Sequence, residues 1–90
     1  MKQIALLLTL LCAATLTQAQ VGIGTTSPDA SSILDVTSTS KGFLPPRMTA
    51  LQRNTISSPI AGLMLWCTDC GASGEIQIYN GADWVNFIGG

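Results

Sequence analysis

Histidine is absent from this 90-residue chain, and charge of either sign is scarce, with four Lys+Arg and five Asp+Glu. Without histidine, the commonest general base and the commonest transition-metal ligand are missing. The basic residues Lys2, Lys41, Arg47 and Arg53 are too few to build the positive patch that nucleic acid requires. The acidic residues Asp29, Asp35, Asp69, Glu75 and Asp83 occur singly, which excludes a calcium loop of the EF-hand kind. Nothing in the sequence fixes a separation between Asp35 and Asp83 or raises a pKa, so paired-carboxylate catalysis has no support. Val21-Gly22-Ile23-Gly24 lacks the third glycine and following helix of a dinucleotide loop. The residues point to a non-enzymatic protein with no catalytic, metal or cofactor set.

The longest apolar run is at the start. Lys2 precedes an apolar stretch from Ile4 to Leu16, and Thr17-Gln18-Ala19 places small residues at the −3 and −1 positions. This is the pattern of a secretory signal peptide over residues 1–19, cleaved between Ala19 and Gln20. The apolar stretch is shorter than the ~20 residues of a membrane span, so no span remains after cleavage. Leucines precede Cys12 where a bacterial lipid-anchor motif needs small residues. A secreted or cell-surface address follows. Cleavage leaves three basic and five acidic side chains, a net charge of −2, on a chain of roughly 70 residues. At that size a lone core is marginal without a staple or partner subunits.

Three segments follow the leader. Residues 20–47 read as an extended glycine- and proline-rich arm with short strands at Val21–Gly24 and around Ile33, Leu34 and Val36. The glycines of the first strand imply close backbone approach. Ser27-Pro28-Asp29 has the form of an N-cap followed by proline at N1, which predicts a single helical turn over Pro28–Ser31. Residues 48–62 form a short capped helix and linker. Pro45 and Pro46 fix φ and remove two donors, so the chain runs extended and stays out of a sheet interior. Thr49 and Gln52 have capping-box spacing, predicting a two-turn helix over about Ala50–Ile56 that Pro59 ends. Residues 63–90 read as a three-stranded antiparallel meander, Leu63–Thr68, Glu75–Tyr79 and Trp84–Ile88, with a turn at Asn80-Gly81-Ala82-Asp83. Alternation sets Leu63 and Leu65 against Met64 and Trp66, and Trp84 and Ile88 against Val85 and Phe87. Both faces therefore carry large apolar groups with no long helix to cover them. Either an oligomer buries the second face, or the N-terminal arm folds back on it.

Cys67 and Cys70 are the two cysteines left after the leader. In an exported chain the even count favours a disulfide across Cys67-Thr68-Asp69-Cys70. A thioredoxin-like redox pair needs a helix after the motif, whereas a Gly-Ala-Ser-Gly turn and a strand follow here. Structural zinc needs four ligands, and one such motif supplies two. Trp66, Tyr79 and Trp84 could stack on sugars, which keeps open a small secreted glycan-binding domain. At strand spacing such aromatics are more often core or interface residues.

The order GIGTTSP, LDV, GFLPPRM, QRNTI, P-x-x-G and YNGADW resembles a module of exported surface proteins of Bacteroidetes-type bacteria. It is similar to segments of phage tail-fibre and trimeric-adhesin-like proteins. The resemblance spans essentially the whole segment after the leader. It implies a mainly β, homotrimeric, fibre-like assembly with a structural or adhesive role, standing near the start of a larger surface protein. Its implied partners are copies of itself, and other surface proteins or glycans. Pro45, Pro46, Arg47, Arg53, Trp66 and Trp84 are the expected assembly residues. Arg47 and Arg53 are expected to pair with the scattered aspartates between elements or subunits.

Overall fold

A computed structural model describes residues 19–88. The expected leader therefore lies outside the described residues as far as residue 18, with Ala19 exposed and Gln20 half-buried at the start of the described chain. Among the described residues no helix is long and apolar enough to cross a membrane. The chain divides into two units, one ending at Lys41 and one beginning at Gly42.

The first unit is a two-stranded parallel sheet, β1 (Val21–Ile23) and β2 (Leu34–Val36). Val21 stands beside Leu34, Gly22 beside Asp35 and Ile23 beside Val36. Parallel strands need a crossover, and here residues 24–33 supply it without a helix. The expected helical turn over Pro28–Ser31 is instead a β-turn, closed by the Ser32 N–H on the Asp29 carbonyl at 3.0 Å. The reason is local. The Asp29 carboxylate accepts from both the N–H and the hydroxyl of Ser31, at 2.9 and 2.6 Å, an Asx turn that competes with helix. Those two bonds, the hydroxyl first, hold the Asp29 pKa below its ordinary value of 3.8. The Gln20 side chain ties the turn down, donating to the carbonyls of Asp29 and Ser32 at 2.9 and 2.7 Å.

The second unit is a four-stranded mixed sheet of order β3-β4-β5-β6. Its strands are β3 (Arg47–Met48), β4 (Met64–Cys67), β5 (Glu75–Tyr79) and β6 (Trp84–Val85). The three antiparallel strands are those expected from the sequence, although the last ends at Val85 rather than Ile88. The added strand is β3, parallel to β4, with Arg47 beside Trp66 and Met48 beside Cys67. Two prolines before it do not prevent this, because an edge position asks Pro46 only for its carbonyl, which accepts from Trp66 N–H at 2.9 Å. The turn at Asn80–Asp83 forms as expected, with Asn80 Oδ1 accepting from the N–H groups of Ala82 and Asp83 at 2.8 and 2.7 Å.

The helix between β3 and β4, α1, is Ala50–Arg53. Its capping box is complete: Thr49 Oγ1 accepts from Gln52 N–H at 3.2 Å and Gln52 Oε1 accepts from Thr49 N–H at 3.0 Å. It is shorter than the expected two turns and stops at Asn54, not at Pro59. Past that point the Thr55 and Ile56 amides bond three residues back, to Gln52 and Arg53, the tighter pattern that closes a helix end.

Candidate functional site

The chemistry-bearing side chains of the second unit gather on one face of its sheet. Residues directly opposed across a ladder share a face, so Leu65, Cys67, Glu75, Gln77, Tyr79, Trp84 and Met48 lie together. Leu65 and Cys67 are fully buried and Gln77 is only 5% exposed. The parallel β3–β4 crossover must pass over one face of the sheet, and Arg53 shows which. Its Nη1 donates to Gln77 Oε1 at 2.6 Å and to Cys70 Sγ at 3.6 Å. Its guanidinium carbon stands 5.8 Å from the centre of the Trp84 ring, which in turn tilts against Tyr79 at 5.2 Å. A four-residue helix thus secures one face through a single arginine. The sequence offers no long helix to cover either face, and this short crossover closes one of them.

Cys67 and Cys70 form the expected disulfide. The loop it closes presents Asp69 Oδ1 to the Ala50 N–H at 2.8 Å, satisfying a donor at the start of α1 that has no partner within the helix. Sγ atoms of Cys67 and Cys70 and an oxygen of Asp69 lie within 4.8 Å of one another. With the sulfurs bonded together, neither is the thiolate a metal needs, and the carboxylate is already engaged. This cluster is a clamp between the loop and the helix.

The expected assembly residues separate. Pro45 is buried and Pro46 exposed. Arg53 and Trp84 belong to the latch just described, and Arg53 contacts no aspartate: its remaining bonds go to Asn54 Oδ1 at 3.2 and 3.0 Å. Arg47 and Trp66 lie on the opposite face, together with Met64, Ile76, Ile78 and Val85. There every side chain is half-buried or exposed, and Arg47 makes no ion pair or side-chain hydrogen bond with another described residue. Trp66 packs over Gly74, where an added Cβ would come within 2.9 Å of its ring. Trp66, Tyr79 and Trp84 consequently do not share one stacking platform.

The first unit is more one-sided still. Val21, Ile23, Leu34 and Val36 all project from one face of the β1–β2 pair, because side chains alternate with period two. The other face carries Gly22 and Asp35. It is closed by the crossover, whose Thr25 carbonyl and Pro28 ring approach so near Gly22 that a Cβ would sit 2.7–2.8 Å from them. Asp35 Oδ2 holds the crossover down by accepting from Asp29 N–H at 2.9 Å. No described residue of this unit is buried, and the four side chains of this face remain 45% to 56% exposed. At ~1.5–3 kcal/mol for full burial of each such side chain, the half left in water forfeits about 3–6 kcal/mol per chain. That is comparable to the whole stability of a small domain. Sequence reading found these strands but not the face they share, which depends on their parallel register.

Short β elements held by turns and caps, with large apolar surface left open, define a β-rich assembly module. Residues 22–89 match the phage tail like trimerisation region, and the chain belongs to that family. It is a trimeric, fibre-like structural module. No curated protein and no solved structure matches the chain.

Proposed function

We propose that this protein is a non-enzymatic, exported structural or adhesive module of a bacterial cell surface. In this reading a leader over residues 1–19 directs export and is removed between Ala19 and Gln20. The trimer then forms part of a surface or secreted fibre of Bacteroidetes-type bacteria. Adhesion, to other surface proteins or to glycans, is a property of the assembled fibre rather than of one chain.

The observation that carries the proposal is how the reactive side chains are used. Asp29 and Asp35 hold turns, Asp69 caps a helix, Arg53 latches the helix to the sheet, and Cys67 is bonded to Cys70. Groups that could do chemistry are absorbed by architecture, while apolar surface is left for assembly. The disulfide accords with an oxidising compartment, and the Gln20 anchor gives the processed end a fixed seat. The test is expression in a bacterial host followed by fractionation and N-terminal sequencing. Recovery outside the inner membrane, beginning at Gln20, is the expected result. Retention in the cytoplasm with residues 1–19 intact refutes the export part of the proposal.

A further inference from the structure

The one-sided β1–β2 pair carries an inference that rests on the trimeric reading. We infer that the plate formed by Val21, Ile23, Leu34 and Val36 is the surface on which three copies of this chain meet. Parallel strands occur almost only where both sheet faces are covered, and a two-stranded sheet is marginal by itself. Here the crossover covers one face through Thr25 and Pro28, held by Asp35, and the four-residue apolar face has no cover within its unit.

The chemistry of the plate selects the occupant. Residues close to a threefold axis meet their own copies, so a charged side chain there would face two like charges. The plate carries no charged or polar side chain. The one charge of the two strands, Asp35, points to the opposite face and is held there by Asp29 N–H. Gly22 keeps that opposite face thin, because the crossover lies directly on its backbone. The family match begins at residue 22, so three of the four plate residues, Ile23, Leu34 and Val36, fall inside the trimerisation region and Val21 borders it. A plate that is apolar and free of like charge suits two further copies of itself.

The test is the mass of the exported protein in solution by light scattering, read beside two variants. The unchanged protein is expected at three chains. Leu34→Asp, which puts a charge into the plate, is expected at one chain, a threefold fall in mass. Leu34→Cys treated with a short bis-maleimide is expected to give covalently linked pairs of chains, whereas Thr26→Cys in the crossover stays single. A three-chain mass retained by Leu34→Asp overturns the inference and leaves the trimer standing with its contact elsewhere. Failure of Leu34→Cys to link chains overturns it equally, even if Leu34→Asp misfolds. Linkage at Thr26→Cys as strong as at Leu34→Cys, or linkage of Leu34→Cys to a different protein, also overturns it. A single-chain mass for the unchanged protein removes the trimeric reading itself.

Discussion

Replacing Arg53 by alanine removes a side chain that bolts α1 to the sheet face. The loss has two parts. The first is a charge-assisted hydrogen bond of 2.6 Å to Gln77 Oε1 on a residue that is almost fully buried, which contributes about 1.5–3 kcal/mol. The second is the contact with the Trp84 ring at 5.8 Å, worth about 0.5–1 kcal/mol at a partly exposed site. Together they set an expected loss of about 2–4 kcal/mol, a fall in Tm on the order of 15 °C for a unit this small. Thermal and urea unfolding followed by circular dichroism, at fixed protomer concentration because assembly contributes to stability, reads this directly. Arg53→Lys keeps the charge but loses the planar fork, so it is expected to fall between wild type and Arg53→Ala. The decisive variant is the pair Arg53→Ala with Gln77→Leu. Removing both polar partners eliminates the unsatisfied amide, and the double variant is expected to be more stable than Arg53→Ala alone. A loss under about 0.5 kcal/mol for Arg53→Ala, within the range of ordinary surface changes, refutes the latch. So does a double variant no better than the single one.

Three further outcomes are expected. Reducing the Cys67–Cys70 bond, whose sequence separation is 3, should cost about 2 kcal/mol by loop-closure entropy and weaken amide protection at Ala50, whose acceptor Asp69 sits in the loop; unchanged hydrogen exchange there counts against the clamp. Asp29 titrates below 3.8 in the folded chain because Ser31 stabilises its carboxylate, so its contribution is present above 3.8 and is lost as pH falls through the lower folded value. Ser31→Ala should raise the Asp29 midpoint toward 3.8 by NMR, and an unmoved midpoint contradicts the assignment. Gly24→Ala places a side chain at φ +78° against the Thr37 carbonyl, whereas Gly62→Ala at φ +97° meets open space. The first should cost well over 1 kcal/mol and clearly exceed the second in denaturant midpoint; equal losses would show that the close approach is unimportant.

Legibility followed sequence distance. The capping box at Thr49 and Gln52, the turn at Asn80-Gly81 and the disulfide of Cys67 and Cys70 depend on residues three or fewer positions apart, and all three form. The glycines of the first strand imply close approach, and Gly22 and Gly24 are found pressed on by Pro28 and Thr37. What failed locally was a competition. Ser27-Pro28 is a sound helix start, but Asp29 offers Ser31 a carboxylate two residues away and the turn wins. The helix is shorter than its flanking signals suggest for a similar reason, since Pro59 limits how far a helix can run without saying where it stops.

The long-range features were out of reach of pattern alone. Arg53 reaches Gln77 across 24 residues, and no spacing rule selects an uncharged amide over the aspartates that electrostatics favours. The parallel pairings of β1 with β2 and of β3 with β4 decide which residues share a face. Period-two alternation gave the two sides of each strand, but it could not align one strand with another.

By itself, then, the sequence determined the three antiparallel strands, the capping box, the Asn80–Asp83 turn and the scarcity of catalytic groups, since each follows from short-range sterics and from residue inventory. Only tertiary structure decided that Val21, Ile23, Leu34 and Val36 form one open apolar plate, and that Arg53 closes one face of the second sheet. Register and crossover fix those surfaces, and both are set by contacts between residues far apart in the chain.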